Sequence, residues 1–479
     1  MMSGSVSSLS SSAGADSAAG LRGSLLIFLT ILVSPFALWR LLVAHWSSRA
    51  ALDQARIAQE SARNTLFTKA IEQLGATREV NLNVASLNLL ESVRGQTEAK
   101  TKTEPNTEVR LGAIYALEKL ARDDVDLHWP IMETLCAYIR TNAGPPKPPP
   151  DNIAKILAKP SGRFGQENEA LKRYVDDIPP LRVDVQAALS VIGRRSQQQR
   201  TFERDRRESL SADNRNAWRL DLSNCNLARA NFDGLNFSEA LFWQSSLQLC
   251  HFRKTHLEFS TFVEAHMELA RLEWARLEGA FLNRTHLEGA SLDFAHFDGA
   301  ELWDIHLEGA SLADARLNNV VLENGFLEGA RLNRAHLVGA SLEGAQLADT
   351  VFDSAHLDGT NFDGATISNT SFKNAFLQGA SFFATHLDGA GLSGAKLEDT
   401  EMSGVDLSGA TGLVQNQIDE TWGNYATKLP AVLTHPVNSR WTNLETASDI
   451  LGTHDNRWSV RRDYWLSEAR KRAKTELAR

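Results

Sequence analysis

Apolar residues recur at a fixed interval of five through the second half of the chain. A large one stands at Leu222, Leu227, Phe232, Phe237 and Phe242 and continues without a break to Leu392, Leu397, Met402 and Leu407. Of these 38 positions only Met267, Ile367 and Met402 are neither Leu nor Phe. Two residues before each runs a second register of mostly small side chains, such as Ala230, Ala240, Ser245, Thr255 and Ala265, with Leu220, Leu235 and Ile305 as larger members. A period of five matches neither the 3.6 of a helix nor the 2 of a strand. The chain has to turn once per repeat to return each fifth residue to one interior. That predicts a stacked coil of short extended segments, a β-solenoid, with the large residue on the axis and hydrogen bonds between coils. Between Gly279 and Gly409 every tenth residue is Gly, Asn or Asp, types that accept positive φ at low cost. Alternate turns are therefore expected to carry a left-handed residue, and the sides per coil to be even in number.

Upstream the pattern changes. Residues 1–20 are mostly Ser, Ala and Gly and read as a disordered tail. Residues 21–46 then run LRGSLLIFLTILVSPFALWRLLVAHW, long enough for a transmembrane helix with Arg40 snorkelling and Trp39 and Trp46 at an interface. Arg22 stands on the N-terminal side of the span's uncharged run from Ser24 to Trp39, and Arg40, Arg49, Arg56 and Arg63 on the C-terminal side, so the bulk of the chain is expected to be cytoplasmic. A helical module is predicted over 47–142, with helices at 47–75 and 79–94 and a polar loop over 95–107. Its helical hairpin at 108–141 has one face from Val109, Ala113, Ile114, Leu117, Leu120 and Ala121. The other comes from Ile131, Leu135, Tyr138 and Ile139. Residues 143–182, with PPKPPP, read as a Pro-rich linker, and 183–219 as a short amphipathic helix and a charged connector. The repeats occupy 220–413, a cap 414–441, and a charged helical tail 442–479. The cap is a physical requirement, because an open last coil exposes a strand edge and an apolar axis.

The phrases ADARL, NRAHLVGASLEGAQL and GVDLSGA resemble the pentapeptide-repeat family, with its A-(D/N)-L-x-x motif. FTKAIEQLG, VRLGAIYALEKLARD, HWPIMETLCAYIR and DVQAALSVIGRR are similar to the cytoplasmic helical module of membrane-anchored bacterial members. The resemblance implies a right-handed quadrilateral β-helix with twenty residues per coil. The chain would then be mainly β, preceded by a transmembrane helix and a small α-helical module. It implies no catalytic residue and no cofactor.

Charge and chemistry refine this picture. The net charge of −9 is uneven: residues 220–413 carry 27 Asp and Glu against 11 Lys and Arg, a net −16, and the remainder is basic. An acidic rod suits protein partners with basic surfaces rather than bare nucleic acid. Cys136, Cys225 and Cys250 have spacings that suit neither a disulfide nor a metal, and read as buried small residues. No nucleotide-binding loop, serine-elbow, zinc-protease or paired-cysteine motif is present, so the chain reads as no enzyme. At twenty residues per coil His266, His286 and His306 stack beside a column of Glu268, Glu288, Glu308 and Glu328. These read as outward repeat residues, since a ladder spaces ligands apart; a pH- or metal-responsive element is the third functional class. The early coils put Arg229, Glu239, Leu249, Phe259 and Leu269 where Gly, Asn or Asp stand later, and place Trp243, Trp274, Phe294 and Trp303 outward. These aromatics, Phe259 included, mark either a partner-docking surface or the seat of the chain's own helical module. The leading functional expectation is a membrane-tethered, non-enzymatic scaffold. The alternative is a DNA mimic that binds gyrase or another DNA-binding protein, as some family members do.

Overall fold

The computed structural model describes residues 12–81, 101–157, 169–210, 218–437 and 441–442, and the backbone alone of 12–38. Two compact units are present, 1–72 and 73–479. The first holds most of one long helix, α1 (Ser12–Leu74). Its backbone is helical from Ser12, so part of the expected tail is helix; Ala13, Ala15, Ala18 and Ala19 make that inexpensive. Among the described residues no helix is long and apolar enough to cross a membrane. Most of the expected span, 21–38, lies outside the residues whose side chains are described.

In the second unit, β1 (Thr77–Asn81) pairs antiparallel with β2 (Thr101–Pro105), Thr77 opposite Pro105 and Asn81 opposite Thr101. This corrects both the helix expected from 79 and the loop expected over 101–105. The threonines and Val80 favour extended backbone, and pairing satisfies it. The rest of the expected helix, 82–94, lies outside the described residues.

Helices α2 (Thr107–Asp123) and α3 (Val125–Ala143) occupy the stretch read as a hairpin, and α6 (Val183–Gly193) packs on both. Asn106 caps α2 and Asp124 caps α3 through their side chains. The interior takes Ala113, Ile114, Leu117, Ile131, Leu135, Ile139 and Leu189. Val109 is only half-buried, and its neighbour Arg110 lies inside instead. There Arg110 stands 3.6 Å from Asp184, which also accepts a 2.7 Å hydrogen bond from the Tyr138 hydroxyl. Helix α7 (Gln197–Glu208) begins with a capping box between Ser196 and Gln199 and brings Glu203 2.6 Å from buried His128. The Pro-rich stretch carries two short helices, α4 (Asp151–Leu157) and α5 (Glu169–Asp177).

From Asp221 to Thr411 parallel bridges join residue i to i+20, side after side. Twenty residues therefore close one coil of four sides. Two further short strands, β3 (Thr366–Ser368) and β4 (His386–Asp388), follow the same register. The axial Leu and Phe residues are buried throughout, and phenylalanines stack coil on coil: Phe232 on Phe252 at 4.5 Å and Phe362 on Phe382 at 4.8 Å. Positive φ occurs at every fifth residue from Asn224 to Gly404, so each turn, and not alternate turns, needs a left-handed residue. The reason lies in the turn itself: the N–H of Ala230 donates to the carbonyl of Leu227, and the third residue, Arg229, has φ 61°. This is the pattern of a type II turn, and both its hydrogen bond and its positive φ recur at most corners.

Both ends of the coil are closed. Within the stack a strand N–H donates to the preceding coil, as Ser246 does to Cys225. On the first coil no preceding turn exists, and the helical module takes its place. The Asn226 N–H donates to the Gly144 carbonyl, Asn231 to the Gln186 side chain and Asn236 to the Gly193 carbonyl. Gly193 is needed there, because a Cβ would stand 2.6 Å from the Leu235 Cβ. At the far end α8 (Gln415–Asp419) leads into β5 (Gly423–Asn424), paired parallel with β6 (Trp441–Thr442). Asp399, Met402 and Leu407 donate to the carbonyls of Glu420, Trp422 and Lys428. The charged tail from 443 lies outside the described residues.

Candidate functional site

Two surfaces of the early coils stand out. The first is aromatic. Trp243, Phe259, Trp274 and Phe294 are 47, 57, 50 and 37 % exposed, and no described part of the helical module covers them. Trp303 is half-buried, with the Arg284 guanidinium 4.9 Å from its ring centroid. The five lie on three sides of the coil. Trp274 and Phe294 are brought together, stacked at 4.4 Å with an interplanar angle of 5°. Trp243 and Trp303 share another side, three coils apart, and Phe259 sits on a third, its ring lying over Gly279. Phe259, Trp274 and Phe294 all occupy left-handed corners, with φ of 56°, 64° and 60°. A bulky residue there is held against its own backbone preference. Phe281, 36 % exposed on the side of Trp243 and Trp303, is an aromatic that the register argument passes over, because it fills a strand position rather than a corner.

The second surface is the histidine ladder. His266 bridges to His286 and His286 to His306, and their rings stack at 4.6 and 4.5 Å. Each Nδ1 meets the carboxylate two residues on: Glu268 at 2.7 Å, Glu288 at 3.1 Å and Glu308 at 3.2 Å. The outward reading of this acidic column does not hold. Glu268, Glu288 and Glu308 are 1, 5 and 4 % exposed. The Pro-rich stretch is no free linker: it folds back on this side. Lys147 donates its N–H to the Ser246 hydroxyl and accepts from the Gln248 amide, one coil above the ladder. Ile156, Tyr174, Val175 and Leu269 pack against Ile153. Burial, with the charge of Glu268 nearby, pushes the Tyr174 hydroxyl far up in pKa. Pro146 and Pro148 line a groove of about 610 Å³ together with Glu264, Arg284, His266, His286 and His306.

The ladder's electrostatics follow from its burial and its stacked charges. Burial opposes charge on His286, yet the hydrogen bond with Glu288 and the nearby Glu268 and Glu308 carboxylates hold its pKa above the ordinary value. Burial raises Glu308, with the neighbouring charge of Glu288 adding to it. Glu328 is raised by burial and by Glu308. The second oxygens of Glu268, Glu288, Glu308 and Glu328 have no hydrogen-bond partner among the described residues. The trios His266, Glu268, His286 and His286, Glu288, His306 each bring three potential ligand atoms within 4.8 Å of one another, closer than the expectation of a spaced ladder. The three cysteines are buried and unpaired; burial pushes Cys136 and Cys225 up to about 12 and so keeps them unreactive.

The model of the family described as pentapeptide repeats matches in eight copies, over residues 214–244, 270–309, 310–347, 345–382 and 377–411. It is a structural repeat and not a catalytic family. Among curated proteins no relative matches. Among solved structures the chain is similar to HetL, a pentapeptide repeat protein involved in heterocyst differentiation regulation from the cyanobacterium Nostoc sp. strain PCC 7120. That likeness has 28% identity over 39% of this chain and 88% of that one, with a TM-score of 0.21. Full-length QnrB1, a plasmid-mediated fluoroquinolone resistance protein, shares 14% identity over 46% of this chain and 99% of its own, with a TM-score of 0.30. A pentapeptide repeat protein of the Arabidopsis thaliana thylakoid lumen shares 24% over 26% and 68%, with a TM-score of 0.13.

Proposed function

We propose that this chain, whose residues 220–413 form a pentapeptide-repeat solenoid, is a non-enzymatic scaffold tethered to a membrane by residues 21–46. Its early coils dock a protein partner. The observation that carries this reading is the Trp274–Phe294 pair, stacked, exposed and held on left-handed corners. Aromatic side chains of this kind anchor protein interfaces, because they bury large area with few rotatable bonds. The apolar run 21–46 and the arginines after it support a single-pass anchor with the solenoid inside the cell.

The test is in-cell crosslinking of the full-length chain, followed by recovery from membranes. A reproducible partner that is lost when both Trp274 and Phe294 are changed to Ala supports the reading. A partner retained by that double variant removes the docking site, and recovery in the soluble fraction removes the anchor.

The net charge of −16 on residues 220–413 favours a second reading, a mimic of duplex DNA that binds gyrase or another DNA-binding protein. Paired cations dilute that charge along the coil, as Arg284 does at Glu264 and Arg334 at Asp314. Inhibition of gyrase supercoiling by the full-length chain would support the mimic, and no inhibition at saturating protein would remove it.

A further inference from the structure

We propose that the histidine ladder is a binding site for one divalent transition-metal ion of the zinc class, held by His286 together with either His266 and Glu268 or His306 and Glu288. Three observations lead there. The ligand atoms of each trio already lie within 4.8 Å of one another. The His Nδ1 to Glu Oε1 separations are 2.7 Å in the first trio and 3.1 Å in the second. Two ligands of one tetrahedral zinc stand about 3.3 Å apart, given bond lengths of about 2.0–2.1 Å. Finally, Glu268 and Glu288 are buried with one carboxylate oxygen unpartnered among the described residues.

Carboxylates one strand spacing apart, about 4.8 Å, repel one another, and a buried unpaired oxygen adds a desolvation cost. A divalent cation relieves both. It replaces the proton shared between imidazole and carboxylate, and that proton leaves to solvent. The imidazole of the adjoining coil turns out of its stack to supply a second nitrogen. The fourth position faces the groove beside Pro146 and Pro148, where water completes a tetrahedral set. Two imidazoles and one carboxylate are borderline ligands, which select zinc, cobalt or nickel over the all-oxygen preference of calcium and magnesium. Both trios use His286, so one ion binds per chain.

The column itself supplies substitutions that keep the fold. One coil spacing repeated brings Gln346 to the position of the ladder histidines and Ala348 to that of the glutamates. The experiment is calorimetric titration of zinc into the tag-free, chelator-stripped full-length chain, with the visible absorption of added cobalt as a report of tetrahedral ligation. The wild type is expected to take up one ion with a tetrahedral cobalt spectrum. His286→Gln, and separately the double variant Glu268→Ala with Glu288→Ala, are expected to weaken binding by at least about tenfold, with metal-free circular dichroism unchanged. His356→Phe, in a different stacked pair (with His336) whose next member is Phe376, is expected to leave binding intact. Absence of zinc uptake by the wild type, full affinity in both ladder variants, or equal loss in His356→Phe would each overturn the site.

Discussion

Each residue of a repeat has one physical task, and the tasks predict opposite responses to substitution. Leu312 is fully buried on the axis. Leu312→Asp places an unpaired carboxylate among Leu and Phe side chains and removes packing, at a cost of several kcal/mol. A lowered unfolding temperature, with loss of the solenoid's circular dichroism on mild heating, is the expected result. The corner residues respond the other way. Lys254 is exposed and sits at φ 56°, a conformation that costs an L-residue roughly 1–2 kcal/mol. Lys254→Gly is expected to stabilise by up to about 1 kcal/mol, after the entropy that glycine loses on folding is deducted. Thermal unfolding measures this, and a lower melting temperature would contradict the corner assignment. By the same reasoning, Phe259, Trp274 and Phe294 occupy corners where their side chains bring no backbone advantage.

At the scale of elements, the helical module is a lid built from charge as well as from apolar packing. Asp184 lies inside it. Burial works against its ionisation, but the hydrogen bonds from Tyr138 and Arg182 and the Arg182 charge prevail and hold its pKa below the ordinary carboxylate value. Glu203 is lowered too: burial opposes, and Arg195 and His128 overcome it. Folded-state pKa values below the unfolded ones mean stability that is present in full above the unfolded values, 3.8 and 4.5. It is lost as pH falls through the folded ones. Acid titration of the helical signal should therefore show the module weakening below about pH 4.5, with Glu203→Gln flattening that dependence at the expense of stability at neutral pH. The junction with the solenoid is steric. Gly193→Ala sets a methyl group against Leu235 and Phe237 and is expected to cost about 1–3 kcal/mol, read as a lower melting temperature of the full chain.

At the scale of the whole molecule, the solenoid depends on its two closures. A stack of coils has no natural end, and each open face presents unpaired backbone and an apolar axis. The helical module satisfies the first coil at Asn226, Asn231 and Asn236, and the segment after 413 satisfies Asp399, Met402 and Leu407. Truncation after residue 413 is expected to produce concentration-dependent association, seen as mass growth in light scattering. A truncated chain that stays monodisperse would show that the cap is dispensable. The Pro-rich stretch belongs to this scale too: it reaches the coil at Ser246 and Gln248, and its Ile153 packs with Leu269.

The five-residue spacing of Leu and Phe determined by itself that the chain coils around an apolar axis, because a strict period leaves no other way to bury every fifth side chain. The period does not give the number of sides; with the twenty-residue coil that the family resemblance implies, the Trp274–Phe294 and His266–His286–His306 stacks became legible in the sequence. The residues at Gly, Asn and Asp corners disclosed the left-handed turn only in part. Its demand at every corner is met elsewhere by Arg, Leu and Phe, since hydrogen bonding between coils outweighs local preference. Tertiary structure alone decided which columns are buried. Glu268, Glu288 and Glu308 follow the same repeat as acids that stay in solvent, yet in the assembled coil they are buried, with Tyr174 of an earlier segment close to Glu268. The strand pair at 77–81 and 101–105 was decided in the same way, by a partner across a gap in sequence that no local pattern records.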